Sequence, residues 1–225
     1  MTLEEILDSV LLESGMDTET SYVGNSKDAV VRLVNLANRS IANLSVWPWQ
    51  ALRRTWSFTL SDDTQYTLPT DFGSFIPDTM YNSNYLGTVN FPTDASDWHF
   101  LQSSSGGTGS RVRARFIGDV VEIYEPTSGD TMRVEYRSKY PVLDSGGTAK
   151  QRFTVDSDTS RINDDLLTQD IIWRYKKLIG LDYQADLMEC KSLEQTLKGQ
   201  DGAAQTITPG QSAEFDGPYY NLWRP

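Results

Sequence analysis

Apolar side chains recur at steps of three and four near both ends of the chain and at steps of two in its middle. Leu3, Ile6, Leu7, Val10 and Leu11 fall on one face of a helix, with Thr2 placed to cap it, Glu4 and Glu5 at the positive end of its dipole, and Gly15 to end it. After a polar turn, Val30, Val34, Ala37, Ile41 and Leu44 form the stripe of a second helix, for which Asn25 or Ser26 is the expected cap. That stripe requires a partner helix. The helix runs into Val46-Trp47-Pro48-Trp49, where the proline ring disfavours helical geometry at Trp47 and stops it. From Arg54 the period falls to two. Trp56, Phe58 and Leu60 alternate with Thr55, Ser57 and Thr59, and Ser61-Asp62-Asp63-Thr64 supplies turn chemistry before Tyr66 and Leu68, so the stretch reads as a hairpin.

Between Pro69 and Gly109 the pattern loosens, with apolar patches at Phe75-Ile76 and Tyr85-Leu86 and a Ser/Gly run from Ser103 to Ser110 that reads as a loop. Strand alternation returns at Val112, Ala114 and Phe116, at Val121 and Ile123, and at Met132, Val134 and Tyr136. About five to seven strands result, enough for a small antiparallel sandwich or barrel. A polar stretch from Asp144 to Asp165 leads to a helix from about Thr168 to Lys198, built on Ile172, Tyr175, Ile179, Tyr183, Leu187 and Leu197. The expected fold is α+β: a helical layer from two N-terminal helices and one long C-terminal helix (residues 1–53 and 166–199), an inserted small antiparallel β domain (54–165), and an extended C-terminal tail (200–225).

Composition narrows the chemistry. Thirty-one Asp and Glu against 20 Lys and Arg leave a charge of −11, which opposes the phosphate contacts that supply most nucleic-acid affinity. The single cysteine, Cys190, rules out an intrachain disulfide and suits a reducing compartment. The first residues are acidic where a secretion signal would be basic, and no apolar run is long enough to cross a bilayer, so the expectation is a chain assembled in the cytoplasm without membrane contact. Aromatic residues at 11% are too many for a disordered chain.

No residue pattern commits the chain to catalysis, and neither cofactor nor metal is expected. His99, the one histidine, lies in Asp97-Trp98-His99-Phe100 and supports neither a hydrolytic triad nor a histidine-rich metal site. Carboxylates that a glycosidase would need are available at Asp62, Asp63, Glu122, Glu125, Asp164 and Asp165, but nothing singles out a pair. Asp156-Ser157-Asp158-Thr159-Ser160 opens like a calcium loop, yet Arg161 and Leu167 occupy its glycine and glutamate positions. The glycines from Gly106 to Gly109 lack the lysine of a phosphate loop. Arg111, Arg113 and Arg115 share a strand face, where pairing with acidic neighbours is favoured over phosphate contact. The tail is different: Phe215, Tyr219, Tyr220, Leu222, Trp223 and Arg224 are interface anchors behind a Gly- and Gln-rich linker, the composition of an arm that docks on a partner.

The stretch Val31 to Ala42 leading into Trp47-Pro48-Trp49, then Trp56-Ser57-Phe58-Thr59-Leu60 and Gln65-Tyr66-Thr67-Leu68-Pro69-Thr70-Asp71-Phe72, resembles the head-to-tail adaptors of tailed bacteriophages, also called connectors or tail tubular protein A. The likeness is best over residues 27–80. It implies a virion structural protein, not an enzyme, at the head–tail junction: a homo-oligomeric, twelve-membered ring beneath the portal protein, enclosing DNA without sequence-specific binding. Its C-terminal arm would lie on the portal, and its β domain would face a downstream tail or nozzle protein. The other classes weighed are a glycan-binding or tail-fibre module and a carboxylate-dependent glycosidase.

Overall fold

The computed structural model describes residues 1–82, 84, 87–89, 95–103 and 113–203. Five helices appear among them: α1 (Leu3–Glu13), α2 (Asp28–Leu44), α3 (Ala95–Ser103), α4 (Asp164–Ile179) and α5 (Gln184–Ala203). The α+β class expected from the residue pattern is the class observed.

Helix α1 starts as its sequence requires. The Thr2 hydroxyl accepts the Glu5 N–H, and the Glu5 carboxylate accepts the Thr2 N–H at 2.8 Å, a reciprocal cap on two otherwise orphaned donors. Helix α2 is capped by neither Asn25 nor Ser26. Its N-cap is Lys27, because the Asn25 side chain is already engaged in a local turn that accepts the Lys27 N–H. At the other end the Trp49 indole donates to the Leu44 carbonyl at 2.8 Å, so the tryptophan after the proline covers the end of α2. Leu3, Ile6, Leu7 and Val10 of α1, Leu33, Ala37 and Ile41 of α2, and Leu166, Leu167, Ile171 and Ile172 of α4 form one buried cluster.

The single long C-terminal helix is two helices. Asn163 caps α4 by accepting the Leu166 N–H, so the helix starts at Asp164, four residues earlier than expected near Thr168, and Gly180 ends it at φ +79°, a conformation that only glycine adopts without strain. The chain then reverses. Lys176 meets Asp186 at 2.7 Å and Cys190 lies beside Asp170, so α5 runs antiparallel along α4.

The β structure is antiparallel throughout its described pairs. In the largest sheet β8 (Thr131–Ser138) pairs with β1 (Arg53–Thr59) on one side, and with β3 (Phe72–Phe75) and β4 (Tyr81–Asn82) in tandem on the other; β5 (Gly87–Thr88) adds to β4. A second sheet orders β2 (Gln65–Thr67), β7 (Val120–Tyr124) and β6 (Arg113–Ile117). The two share a core of Leu60, Met80, Ala114, Val121, Ile123, Met132 and Val134, with Trp56, Phe58, Phe72 and Phe116 packed against it.

The hairpin expected over residues 54–68 does not form. β1 lies along β8 from Arg53↔Arg137 to Thr59↔Thr131, whereas β2 pairs with β7. Leu60 continues the pairing with β8's approach, its N–H on the Asp130 carbonyl and its carbonyl on the Gly129 N–H. The Ser61–Thr64 turn, held by the Tyr66 hydroxyl accepting the Ser61 N–H at 2.8 Å, therefore carries the chain to the other sheet. The Leu68-Pro69-Thr70-Asp71-Phe72 turn carries it back. Asp71 accepts the Tyr136 hydroxyl at 2.7 Å, and Phe72 stacks between Phe116 and Tyr136.

A third sheet, β10 (Ala149–Lys150), β9 (Val142–Leu143) and β11 (Thr159–Ser160), follows β8. From this part of the 54–165 segment, Val142, Phe153 and Ile162 pack into the helical cluster. Thr2 bridges to Thr159, tying the start of α1 to β11.

Candidate functional site

Asp156, Asp158, Glu122 and Arg115, among the residues offered for chemistry, have structural roles. Asp156 accepts the Ser21 hydroxyl and the N–H groups of Tyr22 and Val23, fastening the α1–α2 connection. Asp158 is buried and accepts Thr154 N–H, Val155 N–H and the Lys150 ammonium at 2.7 to 3.0 Å. Burial works to raise its carboxyl, but the Lys150 ammonium and the two backbone donors outweigh it, so it is held below the usual carboxylate range. Neither acid is spare for calcium. Among the described residues no group of three or more His, Cys, Asp or Glu is arranged to hold a metal ion.

Of the acidic candidates, Glu122 and Glu125 share a pocket of about 340 Å³ with Thr64, Trp98, Gln102 and Tyr124. Glu122 is already committed there: Arg115 donates to it at 2.6 Å and Gln65 at 2.6 Å. Burial pushes the Glu122 carboxyl up, but those two donors and the Arg115 charge pull it further down, the opposite of what a proton-donating acid needs. Arg115 also stacks over Trp98, 4.6 Å from the ring centre, which makes it a brace between β6 and α3. Asp62 and Asp63 sit in the Ser61–Thr64 turn, and Asp164 and Asp165 in the first turn of α4. His99 is exposed on α3. Gly106 to Gly109 and Arg111 lie outside the described residues.

So do the arm residues Phe215, Tyr219, Tyr220, Leu222, Trp223 and Arg224. The described residues end within α5 at Ala203. Asp201, near the end of α5, accepts the Gln50 N–H at 3.1 Å, and Lys198 lies 4.5 Å above the Trp47 ring. Beside them is a pocket of about 360 Å³ between Trp49, Ala51, Ile162 and Leu197. The Trp-Pro-Trp junction thus does two jobs: Trp49 closes α2 and Trp47 seats the end of α5.

Three features were not legible in the sequence, two on the surface and one buried. A groove of about 630 Å³ runs between α1 and α5 over α4, with Glu13, Asp165 and Glu189 on its walls. Leu178, Ile179, Leu181 and Met188 are exposed around the α4–α5 turn, a patch created by the break at Gly180. Lys176, Lys177 and then Gly180 are the usual residues of a helix C-terminus and mark that break. Third, Asp170 accepts the Trp173 indole and the Arg174 guanidinium inside the α4–α5 interface, with Cys190 beside it. Burial first, then the Asp170 and Glu194 charges, push the Cys190 thiol up to about 12, which favours its neutral form.

No helix among the described residues is long and apolar enough to cross a membrane. Among curated proteins, none matches the chain at a significant level. A family model described as SU10 adaptor protein matches residues 1–213, covering both cores and the start of the tail. The chain accordingly belongs to the SU10 adaptor protein family, a family of phage structural adaptors.

Proposed function

We propose that this adaptor is a head-to-tail connector, assembling as a ring beneath the portal, extending the DNA channel and presenting an attachment surface to a downstream tail or nozzle protein. The family match over residues 1–213 carries the reading. It is supported by the two family-like motifs: the Trp-Pro-Trp junction and the Leu-Pro-x-Asp-Phe turn both serve as corners of the fold, so their unusual spelling has a structural cause. A net charge of −11 suits a channel that DNA passes without sticking. The segment from Phe215 to Arg224 is the portal-docking arm; the end of α5 that precedes it in the chain is held at Trp47 and Gln50. Twelve subunits is the order proposed, and the virion's head–tail junction the location.

The test is the mass of the purified protein alone and mixed with the portal ring of its own phage, full-length against a chain truncated after Gly210. Full-length protein is expected to load the portal with a ring, and the truncated chain to fail. If neither form associates and both stay monomeric at every concentration, the connector reading is wrong.

A further inference from the structure

Two surfaces of this molecule are chemically complementary and belong to different faces. The first is the groove between α1 and α5. Its three carboxylates, Glu13, Asp165 and Glu189, are exposed and form no ion pair among the described residues. Glu13 occupies the last turn of α1, where the helix dipole is negative and no basic residue offsets it. Met1, whose ammonium is paired with Asp164 at 2.5 Å, also lines the groove, and Asp165 lies at the positive end of α4, so the negative potential that the subunit leaves unmatched comes chiefly from Glu13 and Glu189.

The second surface is the outward side of α2. Val30, Leu33, Ala37 and Ile41 turn into the core, which leaves Val31, Arg32, Asn35 and Arg39 exposed on the opposite side. Neither Arg32 nor Arg39 has an ion-pair partner among the described residues. They stand two helical turns apart, roughly 10 Å, on one side of α2. Guanidinium groups carry the fork of donors that carboxylates accept.

We propose that the outward face of α2 in one copy of this chain seats in the α1–α5 groove of the next, Arg32 and Arg39 meeting Glu13, Asp165 and Glu189. The occupant is a second copy. The inference rests on the ring reading above and names its subunit interface. Because the two faces differ, the contact is heterologous, and repetition closes a ring when the rotation per subunit allows.

Charge reversal tests it. One variant carries Arg32→Glu and Arg39→Glu; the other carries Glu13→Lys, Asp165→Lys and Glu189→Lys. Sedimentation at low ionic strength, alone and on the portal ring, is expected to show assembly by wild type and at least about a tenfold loss of subunit association in each variant alone. An equimolar mixture is expected to recover it, since each variant then finds a neighbour of opposite charge on both sides. Recovery requires both variants to be folded, so it cannot arise from misfolding. Two folded variants that associate like wild type, or a mixture of folded variants that recovers nothing, overturn this interface while wild-type assembly leaves the ring reading standing. Failure of wild type to assemble on the portal overturns both.

Discussion

Asp158 shows how a single buried charge is made tolerable. It is 1% exposed, yet it receives two backbone donors and the Lys150 ammonium, and its carboxyl is held below the ordinary range. A carboxyl whose folded pKa lies below its unfolded value, near 4, stabilises the fold fully above that value and loses the contribution as pH falls through the lower one. Asp158→Asn is expected to cost about 2 kcal/mol at pH 7, the scale of hydrogen bonds to a charged group, with the deficit shrinking toward pH 3. Urea unfolding of both proteins at the two pH values checks this, and a deficit independent of pH would contradict it. Cys190 is the converse case, a thiol kept neutral by burial and nearby acids. An aromatic disulfide reagent at pH 8 is expected to leave it unmodified until denaturant is added; rapid labelling of the native protein would show that α5 opens readily from α4.

At the scale of elements, two glycines separate steric from conformational need. A methyl group at Gly73 would lie 2.9 Å from the Arg137 carbonyl oxygen and within 3.3 Å of Lys139, at the irregular register where β3 meets β8. Gly180 has open space around it and needs only its positive φ. Gly73→Ala is therefore expected to cost about 1–3 kcal/mol through forced backbone movement, and Gly180→Ala about 1 kcal/mol, with Gly180→Asn milder still. Thermal melts of the three variants rank them; a Gly180→Ala cost exceeding that of Gly73→Ala would reverse the assignment. These glycines also show what was legible in the sequence. Helices α1 and α2 follow from Leu3 to Leu11 and Val30 to Leu44 because each buries one face along its length. The break at Gly180 was hidden because Ile172, Tyr175, Ile179, Tyr183 and Leu187 hold helical spacing across it. The false hairpin arose because periodicity marks β1 and β2 as strands without naming their partners, and β1's partner β8 lies far along the chain. Only Trp98 and Leu101 are buried in α3, too short an apolar repeat to announce a helix. The groove was not legible because Glu13, Asp165 and Glu189 come from three separate helices, so Asp165 could be named as an acid but not with its neighbours, which only the tertiary packing brings to one place.

For the whole molecule, the two hydrophobic clusters divide the chain differently from its sequence blocks. Residues near Val142, Phe153 and Ile162 join α1, α2 and α4, while the other cluster draws on residues between Trp56 and Val134. We propose that the separable β unit is residues 54–136 and that everything else folds as the helical unit. The geometry at the boundary makes this testable. Arg53 and Arg137 face each other across an antiparallel pair, so a two-residue Asn-Gly turn is enough to join them when residues 54–136 are deleted. The shortened chain keeps Trp49 on Leu44, Asp156 on the α1–α2 connection, Asp158 on Lys150, and α5 on α4. It also keeps the outward face of α2 and the acidic groove. It is expected to melt cooperatively with a native near-ultraviolet spectrum from its remaining tryptophans, since packing around Trp49 and Trp173 is retained. Loss of that spectrum with helical content preserved would mean that specific packing had gone and only collapse remained, so that the helical cluster needs the β unit to fold. A cooperative melt with that spectrum would show that the helical unit folds without the sheets, and sedimentation of the shortened chain on the portal ring would then show whether assembly resides in it.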